Sequence, residues 1–133
     1  LENASVDTFE RDEKRYSEAK KWVKHFNVDV NVYDTDALTY EGLSDAYDLI
    51  FIDAAKGQYM NFFEKFKNNL SPNGAIICDN ISFHDLTIHD TKNRNTKQLI
   101  KKLEKFKNFL NENQEFESVI YKLGDGLSVS KKK

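Results

Sequence analysis

The sequence predicts an α/β fold: a doubly wound, mostly parallel sheet with an antiparallel hairpin at its C-terminal end. Three observations carry that expectation. Segments with the two-residue period of strands alternate with segments at helical spacing. Two short apolar runs, Leu49 to Ile52 and Ala75 to Cys78, have the unbroken character of strands covered on both faces. The chain then closes on two strand-like segments around Gly124-Asp125-Gly126. Strands joined through helices become parallel neighbours, whereas strands joined by a tight turn pair antiparallel.

Taken in order, Val6 to Glu10 reads as a short strand. Asp12 then caps a helix whose apolar positions Tyr16, Ala19, Val23 and Phe26 fall on one face. Val28, Val30 and Val32 alternate with polar residues, as in a half-buried strand. Asp48 to Asp53 is an apolar run bounded by acids, expected at the sheet centre. Tyr59, Phe62, Phe63, Phe66 and Leu70 repeat at helical spacing until the turn cluster Ser71-Pro72-Asn73-Gly74. Ala75 to Cys78 is the next strand, and residues 80 to 95 have no clean period and read as a long, functional loop. Leu99, Leu103, Phe106 and Leu110 mark a further helix, and Phe116 to Leu123 with Leu127 to Ser130 make the hairpin. No repeat or linker interrupts residues 1–133, which read as a single domain.

Composition narrows the function classes. Lys and Arg number 20 against 22 Asp and Glu, a formal charge of -2, which excludes a uniformly basic nucleic-acid binder and an acidic tail protein. A hydrophobic fraction of 39% with 10 Phe and 6 Tyr suffices for a core. The single cysteine, Cys78, has no partner for an internal disulfide, which fits a reducing, cytoplasmic setting. Neither apolar run approaches the roughly 20 residues needed to cross a bilayer, so no membrane association is expected. The opening residues Leu1-Glu2-Asn3-Ala4 show neither a Met nor a signal pattern. Charge is unevenly divided: residues 1–90 carry 9 basic and 17 acidic side chains, residues 91–133 carry 11 and 5. Lys101, Lys102, Lys105 and Lys107 either solvate a helix or face a polyanion. Trp22 is expected in the core, His25 on the surface, His84 and His89 at most in contact with substrate, and Lys131 to Lys133 in a frayed tail.

Ligands of open α/β sheets bind beyond the carboxyl ends of the strands, which singles out Glu10, Asp34, Asp36, Asp53 and Asp79. A carboxylate at such an end can accept hydrogen bonds from ribose hydroxyls, and Glu10 suits that role; it can equally be a charge flanking a helix N-terminus. Asp53, Asp79 and Asn80 form the sharper group. Two carboxylates and an amide supply hard oxygen ligands for Mg²⁺ or another divalent cation, although Asp53 can also cap a helix and Asn80 start a turn. With Lys56 three residues after Asp53, the group suits deprotonation of a hydroxyl.

These residues carry a resemblance. Asp48-Leu-Ile-Phe-Ile-Asp53-Ala-Ala-Lys56-Gly-Gln-Tyr59 and Leu70-Ser-Pro-Asn-Gly-Ala-Ile-Ile-Cys-Asp79-Asn80 resemble the cation-dependent, class I O-methyltransferases of the catechol and caffeoyl-CoA type. Thr8-Phe-Glu10-Arg-Asp-Glu is similar to that family's second strand, Asp36-Ala37 to its adenosine-side loop, and Gly124-Asp-Gly-Leu-Ser128 to its closing hairpin. Arg94-Asn95 and the Lys-rich helix look closest to the bacterial branch that methylates 5-hydroxyuridine in tRNA. The resemblance implies a Rossmann-like fold and S-adenosylmethionine as methyl donor. It implies Glu10 on the ribose, Asp36 and Ala37 beside the adenine, and Asp53 near the donor. Asp53, Asp79 and Asn80 would hold Mg²⁺, with Lys56 and Asp53 as catalytic residues. Its partners would be a tRNA substrate and a second copy in a homodimer; the alternatives are a small catechol-like phenol, or an inactive domain serving as a binding module.

The sequence also departs from the family pattern. The family's first strand and Gly-rich turn are expected upstream of Leu1, so the chain reads as the C-terminal portion of a methyltransferase domain. Strands ending in Glu10 and Asp53 would then lack a common neighbour. Thr35 and Asp85 stand where the family commonly has Gly, which would reshape the substrate loop.

Overall fold

The computed structural model describes residues 4–43, 46–84 and 86–133, in two compact units divided after Leu43. In the first unit, β1 (Val6–Phe9) and β2 (Val30–Tyr33) form a two-stranded parallel sheet, connected through α1 (Glu13–Phe26). Val6 pairs with Val30 and Phe9 with Tyr33. The Asp12 side chain starts α1 by accepting the Arg15 N–H at 2.9 Å, and Asn27 stops it at φ 50, a left-handed position that Asn tolerates. Val28 belongs to this helix end, not to a strand, because its N–H is spent on Val23 O at 3.4 Å; β2 accordingly begins at Val30. Trp22 is not a core residue. It is 54% exposed and stacks on Phe26, itself 64% exposed, at a centroid distance of 5.7 Å.

The second unit holds β3 (Tyr47–Ile52), α2 (Tyr59–Phe66), β4 (Leu70–Asp79), α3 (Arg94–Glu112), β5 (Phe116–Tyr121) and β6 (Leu127–Lys132). Its strands lie in the order β3-β4-β6-β5, β3 and β4 parallel and the other pairs antiparallel, as the terminal hairpin requires. Tight 3₁₀ turns at Lys56–Gln58 and Lys67–Asn69 flank α2. The segment Ser71 to Gly74 does not end the helical region as a turn; it lies within β4. The ladder passes from Tyr47 opposite Leu70 to Leu49 opposite Ala75, so the extra residues are accommodated as a strand irregularity. Gly74 is buried there, where a Cβ would stand 2.7 Å from Leu70 Cδ1 and 2.9 Å from Tyr47 O.

One face of this sheet meets α2 and α3. Ile52, Ile76 and Cys78 point into a core with Tyr59, Phe63, Leu103, Phe106, Leu110 and Phe116. Phe63, fully buried, meets the rings of Phe106, Phe109 and Phe116 edge-on. Burial of each such side chain contributes roughly 1.5–3 kcal/mol. On β3, Leu49 is 56% and Phe51 57% exposed, so the apolar run is covered on one face only. β3 is an edge strand of its sheet, not the centre. Alternation along the strand explains the split, since Ile50 and Ile52 project to the side opposite Leu49 and Phe51.

α3 begins at Arg94, inside the expected loop, because the Asn93 side chain accepts the Thr96 N–H at 3.1 Å. The terminal lysines are not frayed. Lys131 and Lys132 extend β6, Lys132 Nζ donates to Leu70 O at 2.8 Å, and Lys133 N donates to Glu115 O at 3.0 Å. No helix among the described residues is long and apolar enough to cross a membrane.

Candidate functional site

The carboxyl ends of β3 and β4 are adjacent because Ile52 and Cys78 are register partners; Asp53 follows one and Asp79 the other. Tyr59, only 1% exposed at the start of α2, is anchored to the end of β4. Its Oη donates to Asp79 O at 2.6 Å. Burial first, then the Asp53 carboxylate, with Cys78 and Asp79 adding to it, pushes the phenol well above its ordinary range. Both carboxylates therefore act on one hydroxyl. Asp79 Oδ1 accepts the Asn80 N–H at 2.8 Å, and Asn80 stands at φ 55, a position open to Asn that would strain most side chains.

Lys56 occupies the 3₁₀ turn after β3, from which its Nζ donates to Asn80 O and Ser82 O, each at 3.1 Å. The lysine thus pins the segment after β4, on which Asn80 sits. Lys102 of α3 lies against the same turn: a Cβ on Gly57 would stand 3.4 Å from its Nζ. Two carboxylates and a carboxamide match the oxygen preference of a hard divalent cation. No group of three or more His, Cys, Asp or Glu suited to a metal occurs among the described residues, so a cation here would depend on the Asn80 amide and on non-protein oxygens. Cys78 takes no part, since burial pushes its thiol up to about 12, against a small opposing pull from Ser128, and keeps it protonated.

The remaining sequence-predicted residues cluster in the first unit. Glu10 follows β1, and its N–H extends the ladder to Tyr33 O at 3.0 Å. Glu10 Oε1 accepts the Asp12 N–H at 2.8 Å, while Oε2 stands 3.6 Å from Arg15 Nε. A carboxylate offers about four lone-pair sites, so capacity for ribose hydroxyls remains. Asp36 Oδ1 accepts the Leu38 N–H at 2.9 Å, Oδ2 pairs with Arg11 Nη1 at 3.3 Å, and half-buried Ala37 sits within that turn. Above the strand ends Phe9, Tyr33 and Tyr40 form an aromatic trio with centroids 5.0–5.4 Å apart. Asp34 and His89 are exposed, and Asp85 lies outside the described residues.

Two residues have roles that their local pattern hides. Helical spacing places Tyr59 in packing, although a buried Tyr needs a partner for its hydroxyl. Asp125 lies in a turn motif, yet its Oδ2 stands 4.0 Å from Lys56 Nζ and 3.3 Å from His84 Nδ1.

The profile of the O-methyltransferase family matches residues 2–133, and the chain belongs to that family. Among solved structures, a protein from Staphylococcus aureus proposed to be a caffeoyl-CoA O-methyltransferase is 30% identical, with a TM-score of 0.92 over 100% of this chain and 66% of its own. The S-adenosylhomocysteine-bound methyltransferase PaMTH1 of Podospora anserina is 26% identical, with a TM-score of 0.86 over 98% of this chain and 61% of its own. An O-methyltransferase from Bacillus cereus, also solved with S-adenosylhomocysteine, shares the fold at 21% identity and a TM-score of 0.79, over 98% of this chain and 63% of its own. The chain has the α/β methyltransferase fold, with antiparallel strands in a mixed sheet, and spans less than two thirds of the length of these three structures.

Proposed function

We propose that the chain is the part of an S-adenosylmethionine-dependent O-methyltransferase that carries the acceptor site, and that it acts with a divalent cation. The observation that carries this reading is the place of Asp53 and Asp79 directly after the register partners Ile52 and Cys78, with Tyr59 bonded to Asp79 O and Lys56 to Asn80 O. Asp53, Asp79 and Asn80 would hold Mg²⁺ or a similar ion, whose charge favours ionisation of a nearby hydroxyl. Glu10 would hold the donor's ribose, with Asp36 and Ala37 beside its adenine and Asp53 near its methyl-bearing end. When bound, the donor supplies an electrophilic methyl group. The chain's own task is alignment and proton removal. Lys56, whose Nζ is held by the carbonyls of Asn80 and Ser82, would be the group that takes up the acceptor proton. The proton goes to Lys56, and no covalent intermediate with the enzyme is needed.

The acceptor we favour is 5-hydroxyuridine in tRNA. The exposed Lys101, Lys102 and Lys105 on α3, with Lys102 against the turn that carries Lys56, support it. A small catechol-like phenol is the second reading, favoured by the likeness to the S. aureus structure. Cytoplasmic location and a homodimer belong to the same proposal.

Calorimetric titration with S-adenosylmethionine, followed by methylation of an RNA oligonucleotide containing 5-hydroxyuridine and of catechol, tests the reading. RNA methylation should need a divalent cation. Its KM should rise on the order of 10-fold or more between 50 and 200 mM salt as counterions are released, whereas catechol turnover should not respond. Methylation of catechol alone replaces the substrate assignment, and absence of donor binding both in this chain and in the full-length protein removes the enzymatic reading.

A further inference from the structure

The turn between β5 and β6 does more than reverse the chain. Its backbone accepts hydrogen bonds from the segment after β4: Ile81 N–H donates to Gly126 O at 3.1 Å and Ser82 N–H to Asp125 O at 2.7 Å. The approach is close enough that a Cβ on Gly126, which stands at φ 87, would meet Ser82 Oγ at 3.1 Å and Ile81 Cγ1 at 3.2 Å. Only glycine fits there without strain. Three elements thus converge: the turn after β3 with Lys56, the segment after β4 with Asn80, Ser82 and His84, and the hairpin tip with Asp125.

At the meeting point one atom serves two partners. Asp125 Oδ2 lies 4.0 Å from Lys56 Nζ and 3.3 Å from His84 Nδ1, with the Asp125 and Lys56 side chains about three-quarters buried at 26% and 24% exposure and the His84 side chain 69% exposed. The Phe83 ring lies near both, 5.8 Å from Lys56 Nζ and 5.0 Å from the His84 ring. His84 itself stands at φ 48, in the left-handed region.

We infer that Asp125 is a positioning residue for the acceptor side of the site: a single carboxylate oxygen faces Lys56 Nζ and engages His84 at Nδ1, leaving Nε2 of the exposed ring for an acceptor. The inference rests on the functional reading above, because Lys56 matters to an acceptor only if one binds there. Its chemistry is independent of that reading. Of the two neutral imidazole tautomers, a carboxylate at Nδ1 favours the one with the proton on Nδ1, in which Nε2 carries the lone pair and can accept a hydrogen bond from a hydroxyl.

The test uses the full chain and two readouts. Imidazole ¹⁵N spectra, with His84 identified by its loss in His84→Gln, should show the Nδ1-protonated tautomer in the wild type. Asp125→Asn, nearly isosteric and able to keep the backbone bonds of the turn, should shift His84 toward the Nε2-protonated tautomer. With the 5-hydroxyuridine oligonucleotide as acceptor, the same variant should lose roughly 10–100-fold in kcat while its affinity for S-adenosylmethionine stays at the wild-type value. An unchanged His84 spectrum in Asp125→Asn, or an unchanged kcat, overturns the positioning role. A wild-type chain that shows the expected tautomer and its loss in the variant, but transfers no methyl group, overturns the functional reading and leaves the Asp125–His84 linkage standing.

Discussion

At the ends of β3 and β4 the polar groups are held from within: Tyr59 is 1% exposed, and the Lys56 side chain 24%. At the ends of β1 and β2 the corresponding acids are held from outside, Glu10 near Arg15 and Asp36 by Arg11, whose side chains are 71% and 75% exposed. Exposed ion pairs of that kind contribute about 0–1 kcal/mol, so Glu10 and Asp36 can exchange an arginine for a ligand at little cost. A buried hydroxyl bonded to a backbone carbonyl resists displacement, because breaking that bond leaves an unsatisfied group. The second unit therefore fixes the backbone that follows β4 from within, whereas the first holds its acids partly through exchangeable surface arginines.

The largest expected effect comes from removing one acid on each rim. Asp79→Ala should abolish divalent-cation dependence and methyl transfer while changing donor affinity little. Glu10→Ala should weaken donor binding roughly 10–100-fold, the worth of hydrogen bonds to a charged group. Calorimetry with S-adenosylmethionine and activity against cation concentration separate the two. Full turnover with unaltered donor affinity in both variants would remove the site assignment.

The contrast extends to packing. Phe63→Ala should cost about 3–5 kcal/mol in urea denaturation, because the fully buried ring touches three other aromatics and leaves a cavity. Trp22→Ala, at a ring 54% exposed, should cost about 1 kcal/mol or less. Equal costs would mean that the aromatic face of α1 is buried in solution, and the distinction between the two units would fall.

Much of this organisation is legible in the amino-acid order, for reasons that differ by element. Helical spacing from Tyr59 to Phe66 and Asp12 as a cap are local signals, and the structure follows them. The carboxylates at positions 53 and 79 could be singled out because each directly follows an apolar strand, and register then makes them neighbours. Burial was harder to read. An unbroken run such as Leu49 to Ile52 says that both faces can be covered, not that both are, and Leu49 and Phe51 are exposed. Trp22 failed for the same reason, since apolar character does not reveal what lies opposite. Ser71 to Gly74 has the composition of a turn, but the ladder between β3 and β4 absorbs it. The roles of Tyr59 and Asp125 depend on contacts across 20 and more residues, which no local period encodes.

The smallest effect is also the most direct probe of why the second rim is rigid. Tyr59→Phe keeps the ring, its stacking on Phe106 at 5.6 Å and the shape of the core, and deletes only the hydroxyl that donates to Asp79 O. A backbone carbonyl loses its partner, which should lower stability by about 1–3 kcal/mol. If the tie sets the spacing of Asp53 and Asp79, Mn²⁺ affinity measured by electron paramagnetic resonance should also fall roughly 10–100-fold, as it does when groups that orient metal ligands are removed. Phe116→Leu provides the comparison. It lowers stability through packing alone, and its Mn²⁺ affinity should stay at the wild-type value. A Tyr59→Phe protein that binds Mn²⁺ as tightly as the wild type would show that the strand register alone holds the carboxylates, and that the hydroxyl serves only the fold.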